Sequence, residues 1–193
     1  MTHWILIRHG ATDWNRDGRY QGQADPPLNA QGRAQAEHLA RTLAGRPIQA
    51  VFSSDLQRAL RTAEALAAPH ALRVIIDKRL REIDQGRWEG MLVDDIAASF
   101  PTEWGVIQQD PLRARAPGGE SVDDVARRAM ACMREIAARF PRAPVVIVSH
   151  GLTLACLLCS MHGFPLEQAR EHIPPNGVPV ELVSGPEPGV QRA

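Results

Sequence analysis

The chain has 193 residues, 44% apolar and 23% charged, the composition of an ordinary globular protein. That length buries a hydrophobic core without help from metals or disulfides. Its 22 Lys and Arg balance its 22 Asp and Glu, which argues against a broad basic face for nucleic acid or an anionic membrane but leaves room for a small positive pocket.

Trp4 to Ile7 is a short apolar run that reads as a buried strand ending at Arg8, His9 and Gly10. Asn29 is placed to cap a helix running to about Leu43, with Ala36, Leu39, Ala40 and Leu43 as its apolar stripe. Ala50 to Ser54 predicts a second strand. A helix follows from near Asp55, with Leu56, Ala59, Leu60, Ala63 and Leu66 on one face. Arg73 to Asp77 predicts a third strand.

From about Met91 to Gly119 the pattern is less regular. A short helix around Asp94 to Phe100 is followed by Pro101, Pro111 and Pro117, and the segment reads as a cap-like excursion. Ser121 opens the longest helix, where Ser121 and Asp124 fit a capping box. Val122, Val125, Ala126, Ala129, Met133, Ile136 and Phe140 make its stripe. Pro144 to His150, "PVVIVSH", is β-branched and unbroken, as in a strand buried on both faces. A helix from about Leu152 to His162 comes next, and "PVELV" from Pro179 reads as an edge strand because Pro179 cannot donate to a ladder.

Strands alternate with helices, so the expected class is α/β: three layers, α/β/α, around a mostly parallel central sheet, in one domain spanning 1–193. Cys156 and Cys159, like Cys132, read as core thiols rather than a redox or zinc pair. The apolar run before Arg8 is too short for a signal peptide. No stretch approaches the ~18 apolar residues of a membrane span, so the expectation is a soluble, cytoplasmic protein.

Two strands end in histidine-glycine, "ILIRHG" and "VIVSHG". In an open α/β sheet, ligands bind beyond the carboxyl ends of the strands, so each motif brings an imidazole to that edge. The glycines are expected to let backbone approach the ligand, and nearby helix N-termini favour anions. Arg58 near a helix start opposes the helix dipole and needs another reason to be there. A surface pair with Asp55 is the plain reading of Arg58 alone. Taken together, two histidines with Arg8 and Arg58 suit a tetrahedral dianion, because guanidinium forks bind phosphate oxygens bidentately.

"RHGATDWN", Arg8 to Asn15, resembles the Arg-His-Gly-x-Thr-x-x-Asn motif of the histidine phosphatase superfamily, also called phosphoglycerate mutase-like. Tyr20 to Ala36, "SSDLQRALRTA" (Ser53 to Ala63), "LREIDQGRWEG" (Leu80 to Gly90), "PGGES" (Pro117 to Ser121) and "VSHGL" (Val148 to Leu152) resemble the family's further segments in order. The resemblance implies a phosphoglycerate mutase-like fold and a phosphohistidine formed on His9. Arg8, Arg58 and His150 would bind the phosphoryl oxygens, with Asn15 adding a neutral hydrogen bond and the helix after His150, from Gly151, adding backbone donors. Glu82 would protonate the leaving alkoxide and later take a proton from water. Its rivals are Asp84 and Glu89, and its plain reading is an ion pair with Arg79 or Arg81.

The resemblance implies no metal and no cofactor. The acidic pairs Asp94-Asp95 and Asp123-Asp124 lack further ligands. Within the family, "DQGRWEG", "GATDWN", "YQGQ" and the absence of a longer basic insertion are similar to the phosphatase branch, including the α-ribazole and broad-specificity types. The expected partner is a small phosphorylated substrate, with no nucleic acid and no membrane, and a homodimer is left open. Phosphoglycerate mutase, a phosphoprotein phosphatase and a non-catalytic binding module are the alternatives. Tyr20, Gln21, Gly22, Trp88, Trp14 and the residues around Met91 to Trp104 are the expected pocket lining. Arg113 and Arg115 read as solvated. Gly177 and Pro179 depart from the polar last strand common in the family and are expected to alter it.

Overall fold

The computed structural model describes residues 1–184; residues 185–193 of the expected domain span lie outside them. The strands are β1 (Thr2–Arg8), β2 (Ala50–Ser53), β3 (Val74–Ile76), β4 (Pro144–Ser149) and β5 (Pro179–Ser184). They form one sheet in the order β3-β2-β4-β1-β5, parallel except for β5, which runs antiparallel to β1.

Period-2 alternation sorts the strand side chains into two faces. Trp4, Leu6, Ala50, Phe52, Val145 and Ile147 pack against α6 (Val122–Arg139) and α7 (Gly151–His162). Ile5, Ile7, Val51, Val146 and Val148 pack against α2 (Ala30–Leu43) and α3 (Gln57–Ala67). The result is the expected three-layer α/β/α arrangement, with β4 at its centre. The other helices are α1 (Asp13–Arg16), α4 (Val93–Ser99) and α5 (Pro101–Gln109). Among the described residues no helix is long and apolar enough to cross a membrane.

Local signals account for the helix starts. Asn29 caps α2 by accepting from Gly32 N, and Ser121 and Asp124 form the capping box of α6. The helix expected from Asp55 starts later, after Leu56, because the Asp55 carboxylate is taken by Arg81 at 2.6 Å. Phe140 is the C-cap of α6 and still packs on the core at the end of its stripe, its ring centroid 5.9 Å from that of Phe52. The third strand shrinks to the exposed edge at Val74–Ile76.

The excursion from 91 to 119 holds a second helix that the sequence did not suggest. Pro101 does not break the chain there; it opens α5 as its first residue, where its missing N–H is not needed. This region folds around its own cluster of Trp88, Ile96, Ile107 and Ala116. Edge strand β5 follows Gly177, whose φ of +70° turns the chain into it.

β1 and β4 are adjacent, but their connections leave toward opposite ends of the sheet: β1 leads to β2 beyond β4, and β4 leads to β5 beyond β1. The crevice beyond such a pair is where open α/β sheets bind ligands. In register, Arg8 faces Ser149, so His9 and His150 leave the sheet side by side.

Candidate active site

Above that crevice lies a cavity of about 270 Å³, lined by Arg8, His9, Asn15, Arg19, Tyr20, Gln21, Gly22, Arg58, Glu82, Ile83, Gln85, Gly151, Leu152, Arg170 and Ile173. The sequence-predicted residues Arg8, His9, Asn15, Gln21, Gly22, Arg58, Glu82 and Gly151 therefore meet on one wall system. His150 is not on that wall; it is fully buried, its ring centroid 5.2 Å from that of His9.

His9 Nδ1 lies 2.7 Å from its neighbour's carbonyl, Gly10 O, and Arg58 Nε donates to His9 Nε2 across 3.2 Å. A carbonyl only accepts and a guanidinium only donates, so the proton sits on Nδ1 and the lone pair on Nε2. Burial holds the His9 imidazole well below its ordinary value of 6.5; the Arg58 and Arg8 charges push the same way against the Gly10 bond. His9 is thus neutral, with its Nε2 lone pair turned to Arg58.

His150 is also held well below 6.5, first by burial and then by the charge of Arg58. Neither of its ring nitrogens has a hydrogen-bond partner among the described residues. A buried polar group left unmatched costs about 1–3 kcal/mol.

Arg58 is 1% exposed and sits in the first turn of α3. It does not pair with Asp55. Its other nitrogens donate to Ala24 O and Gly22 O at 2.7 and 2.8 Å, and Asp25 stands 3.9 Å away. Burial lowers its pKa to about 10, so it stays charged at neutral pH. Arg8 donates to Pro174 O at 3.1 Å, while its Nε has no partner among the described residues.

Glu82 forms no ion pair with Arg79 or Arg81, which bind Asp77, Glu135 and Asp55. Its carboxylate sits at the N-terminus of α7 instead. Oε1 accepts from Ile83 N and Thr153 N, with Thr153 Oγ1 3.2 Å away and its proton nearer Arg81 O at 2.7 Å, and Oε2 accepts only from Leu152 N. This corrects the expectation that these α7 donors are free for a ligand. The rivals are committed elsewhere: Asp84 accepts from Gly86 N, and Glu89 from Gln23 N and Gln85 N. Neither lines the cavity.

Asn15 closes a capping box with Thr12 through its Oδ1. Thr12 Oγ1 lies 3.1 Å from both Asn15 Oδ1 and Gln21 Oε1, and its single proton serves one at a time. Gly22 has φ +52°, and a Cβ there would stand 2.2 Å from Glu89 Oε1, so the turn that delivers its carbonyl to Arg58 needs glycine.

Gly10 has a different purpose from the expected one. A Cβ on it would lie 2.3 Å from Gly32 O, so it admits the start of α2 rather than a ligand. Gly151 leaves room for Arg8, whose Cζ would be 3.4 Å from an added Cβ.

Several expected lining residues lie elsewhere. Trp88 is fully buried in the excursion's cluster, where Phe100 and Trp104 pack against it, and Trp14 packs on Gly90. None of these, and no residue from Met91 to Trp104, is on the cavity wall. Arg113 and Arg115 are exposed, and Arg115 pairs with Asp124 at 2.9 Å. Cys132, Cys156 and Cys159 are buried free thiols, and burial pushes Cys132 and Cys156 up to about 12. No group of three or more His, Cys, Asp or Glu among the described residues is placed to hold a metal ion.

Sequence reasoning missed Asn176, whose Nδ2 donates to His9 O at 2.8 Å, and Gly177, whose N–H donates to Arg8 O at 3.0 Å. It also missed Arg19, Arg170 and Ile173 on the cavity wall. The run "PPNG" was a visible turn signal, but nothing local said where the turn docks.

A family model described as histidine phosphatase superfamily (branch 1) matches residues 4–186. Phosphoserine phosphatase 1 of Hydrogenobacter thermophilus is 35% identical over 168 residues, covering 87% of this chain and 80% of that protein. A protein named probable phosphoglycerate mutase GpmB, of Shigella boydii, is 34% identical over 170 residues, covering 88% and 79%. Among solved structures, the α-ribazole phosphatase of Shigella flexneri superposes with a TM-score of 0.86 at 28% identity, covering 93% of this chain and 89% of that one.

Proposed function

The chain belongs to the histidine phosphatase superfamily, branch 1, and from that premise we propose that it hydrolyses a small phosphorylated metabolite through a phosphohistidine on His9. The observation that carries the reading is the neutral, Nδ1-protonated His9, whose Nε2 lone pair accepts from the buried Arg58, with the charge of Arg8 also acting on it.

In the first step His9 Nε2 attacks phosphorus, the P–N bond forms, and the bond to the leaving oxygen breaks. Arg8 and Arg58 hold the phosphoryl oxygens in line and take up their charge; Arg58 turns from His9 to the phosphate as it does so. His150, behind His9, donates its one ring N–H to the same group, which matches one of its two unpartnered nitrogens. Asn15 offers its Nδ2, which its capping bonds leave free, and Gln21 and Gly22 shape the wall.

Glu82 supplies the leaving oxygen with a proton. Its Oε2, with one bond only, is the oxygen able to carry it. In the second step Glu82 takes a proton from water, the resulting hydroxide attacks phosphorus, and the P–N bond breaks to release phosphate and neutral His9. Charge is neutralised throughout by guanidinium groups, so no metal or cofactor enters any step. We read the acting unit as one domain, with the 91–119 excursion as a side cluster, working in the cytoplasm.

The mutase reading is favoured by the name that several relatives from Shigella and Salmonella carry. A mutase must retain and turn its product over the phosphohistidine. Arg113 and Arg115, the arginines the sequence offers for that, stand off the cavity, but Arg19 and Arg170 line it, so phosphate release against phosphoglycerate interconversion is what separates the two readings.

The test is release of inorganic phosphate from a panel of phosphomonoesters, with EDTA present, by the wild type and His9→Ala. We expect release by the wild type alone. Interconversion of 2- and 3-phosphoglycerate without release would make the protein a mutase, and no turnover by the wild type would overturn the enzymatic reading.

A further inference from the structure

Four residues close a hydrogen-bonded circuit through the His9 imidazole. His9 Nε2 accepts from Arg58 Nε at 3.2 Å, and His9 Nδ1 bonds Gly10 O at 2.7 Å. The way back from Gly10 to Arg58 runs through a side chain with no part in the steps above. Thr62 lies one turn after Arg58 on α3 and is fully buried. Its Oγ1 accepts from Gly10 N at 3.1 Å and donates to Arg58 O at 2.8 Å.

The direction of each bond is forced. A peptide N–H only donates and a carbonyl only accepts, so the group between Gly10 N and Arg58 O must do both. A hydroxyl does; a valine side chain, of nearly the same shape, does neither. A hydroxyl turned back on the preceding helical turn slightly weakens a helix, so the bond to Gly10 is what a threonine gains here.

That bond matters because a glycine does little to fix its own backbone. Two peptide groups join His9 to Ala11, and each is held at both ends. In the first, His9 O accepts from Asn176 Nδ2 and Gly10 N donates to Thr62. In the second, Gly10 O accepts from His9 Nδ1 and Ala11 N donates to Gln35 Oε1 at 2.8 Å. Without the Thr62 hydroxyl the first peptide is held by its oxygen alone. It is then free to turn about Gly10 and carry Gly10 O away from the imidazole that this carbonyl orients.

We propose that Thr62 is a positioning residue for the attack on phosphorus: through Gly10 and Arg58 its hydroxyl holds the His9 imidazole in the orientation that presents Nε2. It acts through its neighbours and does not line the cavity. The proposal rests on the phosphatase reading.

The test is hydrolysis of an aryl phosphate by the wild type, Thr62→Val and Thr62→Ser, with inhibition by inorganic phosphate measured alongside. Valine keeps the packing and loses the hydroxyl; serine keeps the hydroxyl and loses a methyl. Thr62→Val should lose about ten- to a hundredfold in kcat, the cost of misplacing a reacting group slightly. Thr62→Ser should stay within about threefold of the wild type. Arg8 and Arg58 keep their anchors on Pro174 O, Ala24 O and Gly22 O, so phosphate inhibition should change little in either variant. A packing role predicts the reverse order, because a buried void harms serine and spares valine. That reverse order, or equal kcat in all three proteins, would overturn the proposal and leave the phosphatase reading standing. If Thr62→Val does not fold, Thr62→Ala against Thr62→Ser decides, since both lose the methyl and only serine keeps the hydroxyl; equal kcat in that pair would overturn the proposal. Turnover of no phosphomonoester by the wild type would bring down the phosphatase reading, and this proposal with it.

Discussion

Arg58 Nε donates to His9 Nε2 across 3.2 Å, at the atom proposed to attack phosphorus. The same guanidinium therefore fixes the histidine tautomer and, in the proposed mechanism, also meets the phosphate. Arg58→Lys keeps a charge but loses the fork that reaches His9, Ala24 O and Gly22 O together. A loss of about 10²-fold in kcat/KM is expected, as for removal of one preorganised donor. Steady-state kinetics check it; a change under about threefold would contradict the assignment.

His9 and His150 are buried neutral, both held well below 6.5 mainly by desolvation. Below that value the unfolded chain binds protons that the folded chain refuses, so stability falls as pH drops through about 6.5 toward the folded-state values. Each histidine contributes a slope of about 1.4 kcal/mol per pH unit in that window. The lowered carboxylates Asp55, Asp77 and Asp124 matter only nearer 3.8 and below, where their stabilisation is lost as pH falls. Urea unfolding between about pH 7.5 and 5 should show the decline; a flat profile would contradict two buried neutral imidazoles.

Glu82→Gln keeps a side chain of the same shape at the start of α7 but removes the proton carrier. Alkyl phosphates, with poor leaving groups, should lose roughly 10²–10⁴-fold in kcat, the range of general acid-base catalysis. An aryl phosphate needs no proton on its leaving oxygen and should lose less in the first step. Equal losses for both classes would assign Glu82 to holding α7 rather than to proton transfer.

Arg128, on α6, holds the segment that carries Glu82. Its guanidinium donates to Arg79 O, Arg81 O and Glu82 O at 2.7, 2.6 and 3.0 Å and pairs with Glu120. Its side chain is 17% exposed, so Arg128→Met removes the charge partner of the largely buried Glu120 and the donor to Arg79 O, while Arg81 O keeps Thr153 Oγ1 and Glu82 O keeps Gln23 Nε2. A loss on the order of 3 kcal/mol is expected. Arg127, next in sequence but 67% exposed in its pairs with Asp123 and Asp124, should tolerate the same change within about 1 kcal/mol. Denaturant midpoints distinguish the two; equal effects would refute the clamp.

The layers of this fold were legible because strand alternation and helix caps are local. "PVVIVSH" has no polar face, and β4 is the central strand. The paired His-Gly exits were legible for the same reason: a strand end fixes where its next side chain goes. What depended on a distant partner was not. Asp55 could take Arg58 or Arg81, and only the packed loop decides for Arg81. The donors Leu152 N and Thr153 N looked free for a ligand, yet Glu82 reaches them from seventy residues away. Trp88 suited a pocket wall or a core equally well by composition, and tertiary packing put it in the core. The support that Asn176 and Gly177 give the Arg8–His9 backbone spans most of the chain and leaves no periodic trace.

The central claim is a covalent bond between phosphorus and His9. Rapid-quench labelling with a ³²P-phosphomonoester tests it most directly, with the protein recovered in alkali, where a phosphohistidine survives. The wild type should carry label transiently, Glu82→Gln should accumulate it from an aryl ester, acid should release it, and His9→Ala should never acquire it. Full-rate hydrolysis with no labelled protein at any time, or label persisting in His9→Ala, would contradict the mechanism.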